Sequence, residues 1–191
     1  EIHPWGSREE SLEFPDTLIF DLDPGPDVTW SDVIAGAHRL RDRLEALGLT
    51  SYVKTSGGKG LHVVLPVRPE LTWEDAKQFT KAVVMDIVQS APDKYVGTMT
   101  KKKRVGKTFL DYVRNSRGAT TVAPYSTRAR QGCPVSTPVG WDELSPHLLP
   151  DTFTIRNIEK RLAQLTHDPW EGFFDLRQRI TASMRRELGL E

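Results

Sequence analysis

Asp21 and Asp23 stand at i and i+2 at the end of the apolar run Thr17-Leu18-Ile19-Phe20-Asp21-Leu22. Side chains alternate along a strand, so both carboxylates point to one face. Two like charges side by side are costly unless something cationic lies between them. A hard divalent ion, Mg²⁺ or Mn²⁺, prefers such carboxylate oxygens. Taken alone, Asp-x-Asp reads equally as a pair of turn residues, because Asp23-Pro24-Gly25-Pro26 stops the strand. A third acid shifts the balance. Asp111 lies in Thr108-Phe109-Leu110-Asp111-Tyr112-Val113, again an apolar strand, where an acid is rarely present for packing. Two strand carboxylates with a distant third form the ligand set of two-metal phosphoryl transfer, in which one ion activates the attacking oxygen and the other holds the leaving phosphates.

Ser56-Gly57-Gly58-Lys59-Gly60-Leu61-His62 offers what a phosphate needs. Glycines let backbone N–H groups come close, Ser56 adds a hydroxyl and Lys59 a cation. It is not a P-loop, since the Gly-x-x-x-x-Gly-Lys spacing is missing and a strand follows. A hairpin turn accounts for the glycines but leaves Lys59 and His62 without a role. Taken singly, His62 reads as a core histidine with its hydrogen bonds met.

The charge distribution points the same way. The chain of 191 residues is formally neutral, yet residues 94–130 hold 10 Lys or Arg and one acid, Asp111. That is a net +9, against −7 for residues 1–93 and −2 for residues 131–191. A charge run alone reads as a solvated loop; an acid inside it makes it an electrostatic footprint for phosphate.

The elements that must place these groups can be read from pattern. Thr17–Leu22 is a buried strand. Thr29 caps a helix with Val33, Ala37, Leu40, Leu44 and Leu47 inward, ended by Gly48. Ser51–Lys54 and Leu61–Leu65 are strands joined by the glycine turn, and Thr72 with Asp75 opens a helix that buries Ala76, Phe79, Val83 and Ile87. Strands are expected at 95–99, 108–113 and 119–123, an ordered loop at 125–138, and helices at 154–165 and 174–188. Together these predict an α+β domain with a mixed or antiparallel sheet flanked by helices; the short β-turn-β at 51–65 opposes a doubly wound parallel sheet. At 38% hydrophobic residues the length suits one core, and we expect one domain over residues 1–191. The single cysteine, Cys133, excludes a disulfide framework or a zinc cluster and fits a reducing compartment. No run approaches the roughly 20 apolar residues that span a bilayer, so no membrane partner is expected.

Phe20-Asp21-Leu22-Asp23-Pro24-Gly25, Lys54-Thr55-Ser56-Gly57-Gly58-Lys59-Gly60-Leu61-His62-Val63 and Phe109-Leu110-Asp111-Tyr112-Val113-Arg114-Asn115 together resemble the polymerase domain of bacterial ATP-dependent DNA ligase D, in the archaeo-eukaryotic primase superfamily. Glu1-Ile2-His3-Pro4-Trp5 and Ala123-Pro124-Tyr125-Ser126-Thr127-Arg128-Ala129-Arg130 agree with it. The resemblance implies a primase-like fold and a template-directed polymerase and terminal transferase that favours ribonucleotides at broken DNA ends in non-homologous end joining. It implies Asp21, Asp23 and Asp111 as ligands of two Mn²⁺ or Mg²⁺ ions. It implies Ser56, Gly57, Gly58, Lys59, His62, Arg128, Arg130 and His3 as contacts of the nucleoside triphosphate. The implied partners are DNA ends with a template strand, nucleoside triphosphates, a fused or separate DNA ligase and the bacterial Ku protein, in the cytoplasm at the nucleoid. It also implies further polymerase residues ahead of the His-Pro-Trp segment, so that residues 1–191 would be the C-terminal catalytic part of such a domain.

Two rivals compete. A phosphatase would use Asp21 as nucleophile and Asp23 as acid/base, but it would want a helix-linked parallel sheet. A non-catalytic nucleic-acid-binding module would use the basic block and leave the acids vestigial.

Overall fold

A computed structural model of the chain describes residues 1–190. Its centre is the strand β1, Thr17–Pro24, where Leu18, Phe20 and Leu22 are fully buried. These three face the helices α1 (Trp30–Ala46) and α2 (Trp73–Ser90) across the main core. Each helix starts where the sequence places a cap: the Thr29 hydroxyl accepts the Asp32 N–H, and the Thr72 hydroxyl accepts the Asp75 N–H. Past α1 the chain turns at Gly48, with φ +77°, a left-handed conformation that glycine adopts without steric cost.

β2 (Tyr52–Thr55), β3 (Leu61–Pro66), β4 (Tyr95–Val96), β5 (Thr108–Asp111) and β6 (Pro138–Val139) complete a sheet of order β4-β5-β1-β3-β2-β6. The β4–β5 pair is parallel and the others are antiparallel, so the expected α+β class with a mixed sheet is the observed one. Both neighbours of β1 run antiparallel to it, which removes the sheet that the phosphatase reading required. On the face away from α1 and α2, Ile19 and Val64 pack with Trp170 and Phe173 in a second, smaller cluster beside Tyr52.

Several elements differ from expectation. The strand expected at 95–99 is limited to Tyr95–Val96. The one expected at 108–113 stops at Asp111, whose carboxylate accepts the Val113 N–H at 2.8 Å and bends the chain into a 3₁₀ turn, Val113–Asn115. Asn115 then substitutes for the lost strand. Its side-chain amide accepts from Ile19 N–H (2.8 Å) and donates to Ile19 C=O (2.7 Å), so it closes the ladder of β1. Residues 119–123 form no strand; Thr121 and Ala123 donate to Pro4 and Ile2 instead. The edge strand β6 lay within and beyond the expected loop, and its opening proline, which lacks an N–H, hides it from a pattern reading. The expected 154–165 helix shrinks to α3, Ile158–Gln164, and that at 174–188 to α4, Ala182–Glu187. Between them, Trp170 and Phe173 sit in irregular turns docked on the sheet.

Candidate active site

Register brings the chemistry together. Asp21 pairs across β1–β5 with Asp111 and across β1–β3 with His62, and His62 pairs across β3–β2 with Lys54. Directly opposed residues share a sheet face. Asp111, Asp21, His62 and Lys54 therefore form one transverse row over four strands, on the face away from α1 and α2. All four are buried. Asp23 lies two residues along β1, half-buried, on the same face.

His62 Nε2 is 3.4 Å from Asp21 Oδ1, and its Nδ1 is buried without a hydrogen-bond partner among the described residues. A core histidine with both nitrogens met is thus not what the fold holds. Burial, with the Lys54 and Arg128 charges, lowers the His62 pKa. Burial alone would raise Asp21, but His62, Arg114 and Lys54 outweigh it and hold that carboxyl below its usual range. Asp23 is pushed up to about 6 by burial and by the charges of Asp21 and Asp111. Asp111 is raised mainly by burial, against the Val113 N–H and Arg114. The Arg104 guanidinium lies 3.7 Å from the Phe109 ring centroid, and Phe109 is the strand partner of Asp23.

Three hard oxygen donors whose charges obstruct one another fit a divalent ion. Among the described residues no group of three or more His, Cys, Asp or Glu side chains is arranged to hold a metal ion. Arg114 bridges the pair instead: its Nε lies 3.8 Å from Asp21 Oδ2 and 3.4 Å from Asp111 Oδ2.

The glycine turn begins beside this row. Ser56 Oγ accepts the N–H groups of Gly58 and Gly60, both at 3.2 Å, so the hydroxyl shapes the turn and keeps its own proton to donate. Gly57 has φ +63°, and a Cβ on Gly60 would collide with the Leu22 carbonyl oxygen. Both positions need glycine, one for conformation and one for close approach. Lys59 is exposed at the tip and lines a cleft of about 670 Å³ with Gly58, the Pro24-Gly25-Pro26 turn, Trp30 and Asp151. That size is within the range of small-molecule sites.

Arg128 reaches the turn from the other side, its Nη1 donating to Ser56 C=O at 2.6 Å. Arg130 stands over Gly58, its Cζ 3.6 Å from where a Cβ would lie. His3 joins through an anion. The Glu1 carboxylate accepts from the Ala129 N–H (2.6 Å), pairs with His3 Nε2 (2.7 Å) and lies 3.2 Å from Arg128 Nε. The His3 and Ala129 hydrogen bonds and Arg128 hold the Glu1 pKa down to about 2. His3, Arg128 and a backbone N–H thus form a corner that binds a carboxylate, and its chemistry suits a phosphate equally.

The structure brings Asp21, Asp23, Asp111 and His62 onto one face, and groups Ser56, Gly57, Gly58, Arg128 and Arg130 around one turn. Lys59 stands apart on the cleft side of that turn. Lys101–Lys103 form an exposed 3₁₀ turn, and none of the three makes an ion pair among the described residues. Sequence reasoning gave no individual role to Lys54, Arg114, Asn115 or Ser136. The alternation of Lys54 with the core residue Val53 along β2, which puts Lys54 on the same face as Tyr52, was the available signal for Lys54; the bridging by Arg114 and the splice by Asn115 follow from the turn after β5, which pattern does not show.

Residues 1–170 match the family model described as LigD, primase-polymerase domain. The multifunctional non-homologous end joining protein LigD of Pseudomonas aeruginosa is 40% identical over 190 residues, covering 99% of this chain and 23% of that protein. The bifunctional non-homologous end joining protein LigD of Bacillus subtilis is 33% identical over 170 residues, covering 83% of this chain and 28% of that protein. The chain thus spans about a quarter of the length of these relatives. Among solved structures, the polymerase domain from Mycobacterium tuberculosis ligase D in complex with DNA superposes with a TM-score of 0.78 at 35% identity, covering 84% of this chain and 55% of that one.

Proposed function

Because the chain belongs to the LigD primase-polymerase domain family, we propose that it is a nucleotidyltransferase that adds nucleotides, preferentially ribonucleotides, to DNA 3′ ends opposite a template strand in bacterial non-homologous end joining. The observation that carries this is the buried row Asp111–Asp21–His62 with Asp23 on the same face, beside a glycine turn gripped by Arg128. Asp21, Asp23 and Asp111 would hold two divalent ions, Mn²⁺ or Mg²⁺. Such ions, when bound, lower the pKa of the primer hydroxyl and offset charge on the departing phosphates.

The remaining chemistry belongs to the chain. Ser56, His62, Arg128, Arg130 and His3 hold the triphosphate from donors grouped around the turn, with the Glu1 carboxylate giving way, and Lys59 joins from the cleft side. The primer 3′ hydroxyl gives its proton to solvent as its oxygen forms the new bond to the α-phosphorus, the bond from that phosphorus to the oxygen bridging to the β-phosphate breaks, and pyrophosphate leaves among these donors. The His62 Nδ1 without a partner supplies one further polar contact on this face. Lys101–Lys103 and neighbouring cations would meet the DNA backbone. The cellular setting, with a DNA ligase fused or separate, Ku at the break, and the nucleoid of the cytoplasm, belongs to the same proposal. The names multifunctional and bifunctional of the relatives support further activities in the same chain; the description of the solved neighbour as the polymerase domain of ligase D in complex with DNA supports the fused ligase and the DNA partner.

The rival binding module draws support from one contact, the bridging of Asp21 and Asp111 by Arg114. Incubation with a 3′-recessed DNA end, Mn²⁺ and each ribo- and deoxyribonucleotide separates the two. Template-matched addition, faster with the ribonucleotide, is the expected result. Binding of the DNA end with no addition under any of these conditions would favour the module.

A further inference from the structure

Lys54 is the member of the row that the proposed reaction does not use. It is 1% exposed, and a buried ammonium is costly unless its N–H groups find acceptors. Its Nζ donates to Val122 C=O at 3.0 Å and to Ser136 Oγ at 2.7 Å. These acceptors lie on either side of one loop in sequence. Tyr125 N–H donates to Ser136 C=O (2.6 Å), Ser136 N–H to Ser126 C=O (3.0 Å) and Arg128 N–H to Pro134 C=O (2.7 Å), with a bridge between Thr127 and Val135. Those hydrogen bonds make a stem, and Arg128 and Arg130 stand at its tip. The Ser136 hydroxyl passes the connection on by donating to Thr55 C=O at 2.9 Å. A single ammonium on β2, two residues before Ser56, thus ties together both feet of the arginine loop.

We infer that Lys54 is a positioning residue: it fixes the loop bearing Arg128 and Arg130 against the glycine turn, so that nucleotide affinity depends on Lys54 although Lys54 touches no nucleotide. The inference rests on the triphosphate reading of the preceding subsection. A lysine that merely fills the core would affect stability without acting through Arg128.

The test is ATP affinity by isothermal titration with Mn²⁺ for the unmodified chain, Lys54→Met, Arg128→Ala and the double variant, together with amide hydrogen exchange over residues 122–137. Each single change is expected to weaken ATP binding about tenfold, the loss that accompanies one charge-assisted hydrogen bond. The double variant should be at most about twofold weaker than the weaker single one, because both changes remove the same interaction. Exchange over 122–137 should quicken in Lys54→Met while α1 and α2 stay protected. Ser136→Ala removes one acceptor and keeps the buried charge; it should give a smaller loss of the same kind, and it serves if Lys54→Met does not fold. Unchanged ATP affinity in these variants, or losses that multiply in the double variant, overturn the inference. Failure of the unmodified chain to bind ATP overturns the triphosphate reading, and unchanged exchange over 122–137 then overturns the tie as well.

Discussion

Asp21 of β1 and Asp111 of β5 stand directly opposite each other in an antiparallel pair, and the Arg114 guanidinium touches both carboxylates. A side chain bearing one charge thus occupies the approach to two buried acids, while half of it remains exposed. A divalent ion drawn to those oxygens has to compete with it.

Arg114→Ala should therefore have two opposite effects. Without metal, the two acids lose their shared cation, and stability falls by about 1 kcal/mol, a modest figure because Arg114 is partly in solvent. Mn²⁺ binding should tighten about fivefold, the equivalent of about 1 kcal/mol. Thermal unfolding and isothermal titration read the two. Mn²⁺ binding that weakens or stays constant would mean that Arg114 does not compete for the acids.

Lys54 gives a pH signature. Burial, partly offset by the Asp21 charge, takes its pKa from 10.5 down to about 7. Below pH 7 the amine is protonated in the folded and the unfolded chain, and the full cost of burying the charge is present. From about 7 up to 10.5 the unfolded chain binds the extra proton, so stability rises with pH, by up to about 1.4 kcal/mol per pH unit for this group. Urea unfolding at pH 7 to 10 should show the unmodified chain gaining on Lys54→Met. A constant difference across that range would show that the amine keeps an ordinary pKa.

Gly60 tests the turn by sterics alone. A methyl group there meets the Leu22 carbonyl in the central strand, which cannot yield as a side chain tip could. Gly60→Ala should cost about 3 kcal/mol. At Gly58 the nearest atoms are Ser56 Oγ at 3.3 Å and the Arg130 guanidinium, so Gly58→Ala should cost well under half as much. Equal losses in chemical denaturation would mean that the turn does not pass so close to β1.

The exposed Lys101–Lys103 turn should report on DNA. Replacing all three by Ala should make the salt dependence of DNA-end affinity shallower, by up to about 0.9 in log–log slope for each phosphate of duplex DNA that is no longer neutralised. An unchanged slope would place the DNA elsewhere.

Much of this was legible in the sequence, for identifiable reasons. β1 and the two long helices are strongly patterned and capped, so their positions followed from apolar spacing and from Thr29 and Thr72. The Asp-x-Asp at a strand end gave two acids on one face before any pairing was known. What pattern could not give was register. Opposition of Asp21 to both Asp111 and His62, and of His62 to Lys54, depends on which strands neighbour each other. The shortened β5 was hidden because Asp111 uses its own carboxylate to end the strand that Tyr112 and Val113 would have prolonged. Asn115 completes β1 with a side chain, which no strand propensity reports. The helix expected at 174–188 was too long at its start, because residues 174–181 are irregular and only Ala182–Glu187 is helical.

The most direct measurement is extension of a primed DNA end by the Asp111→Asn chain beside the unmodified one, with Mn²⁺ and template-matched nucleotide. Asparagine keeps the shape and the oxygen that accepts the Val113 N–H, and removes only the charge. The account predicts addition by the unmodified chain and a loss of about a hundredfold or more in the variant, with thermal stability and DNA-end affinity retained. Addition by Asp111→Asn at the unmodified rate would contradict it.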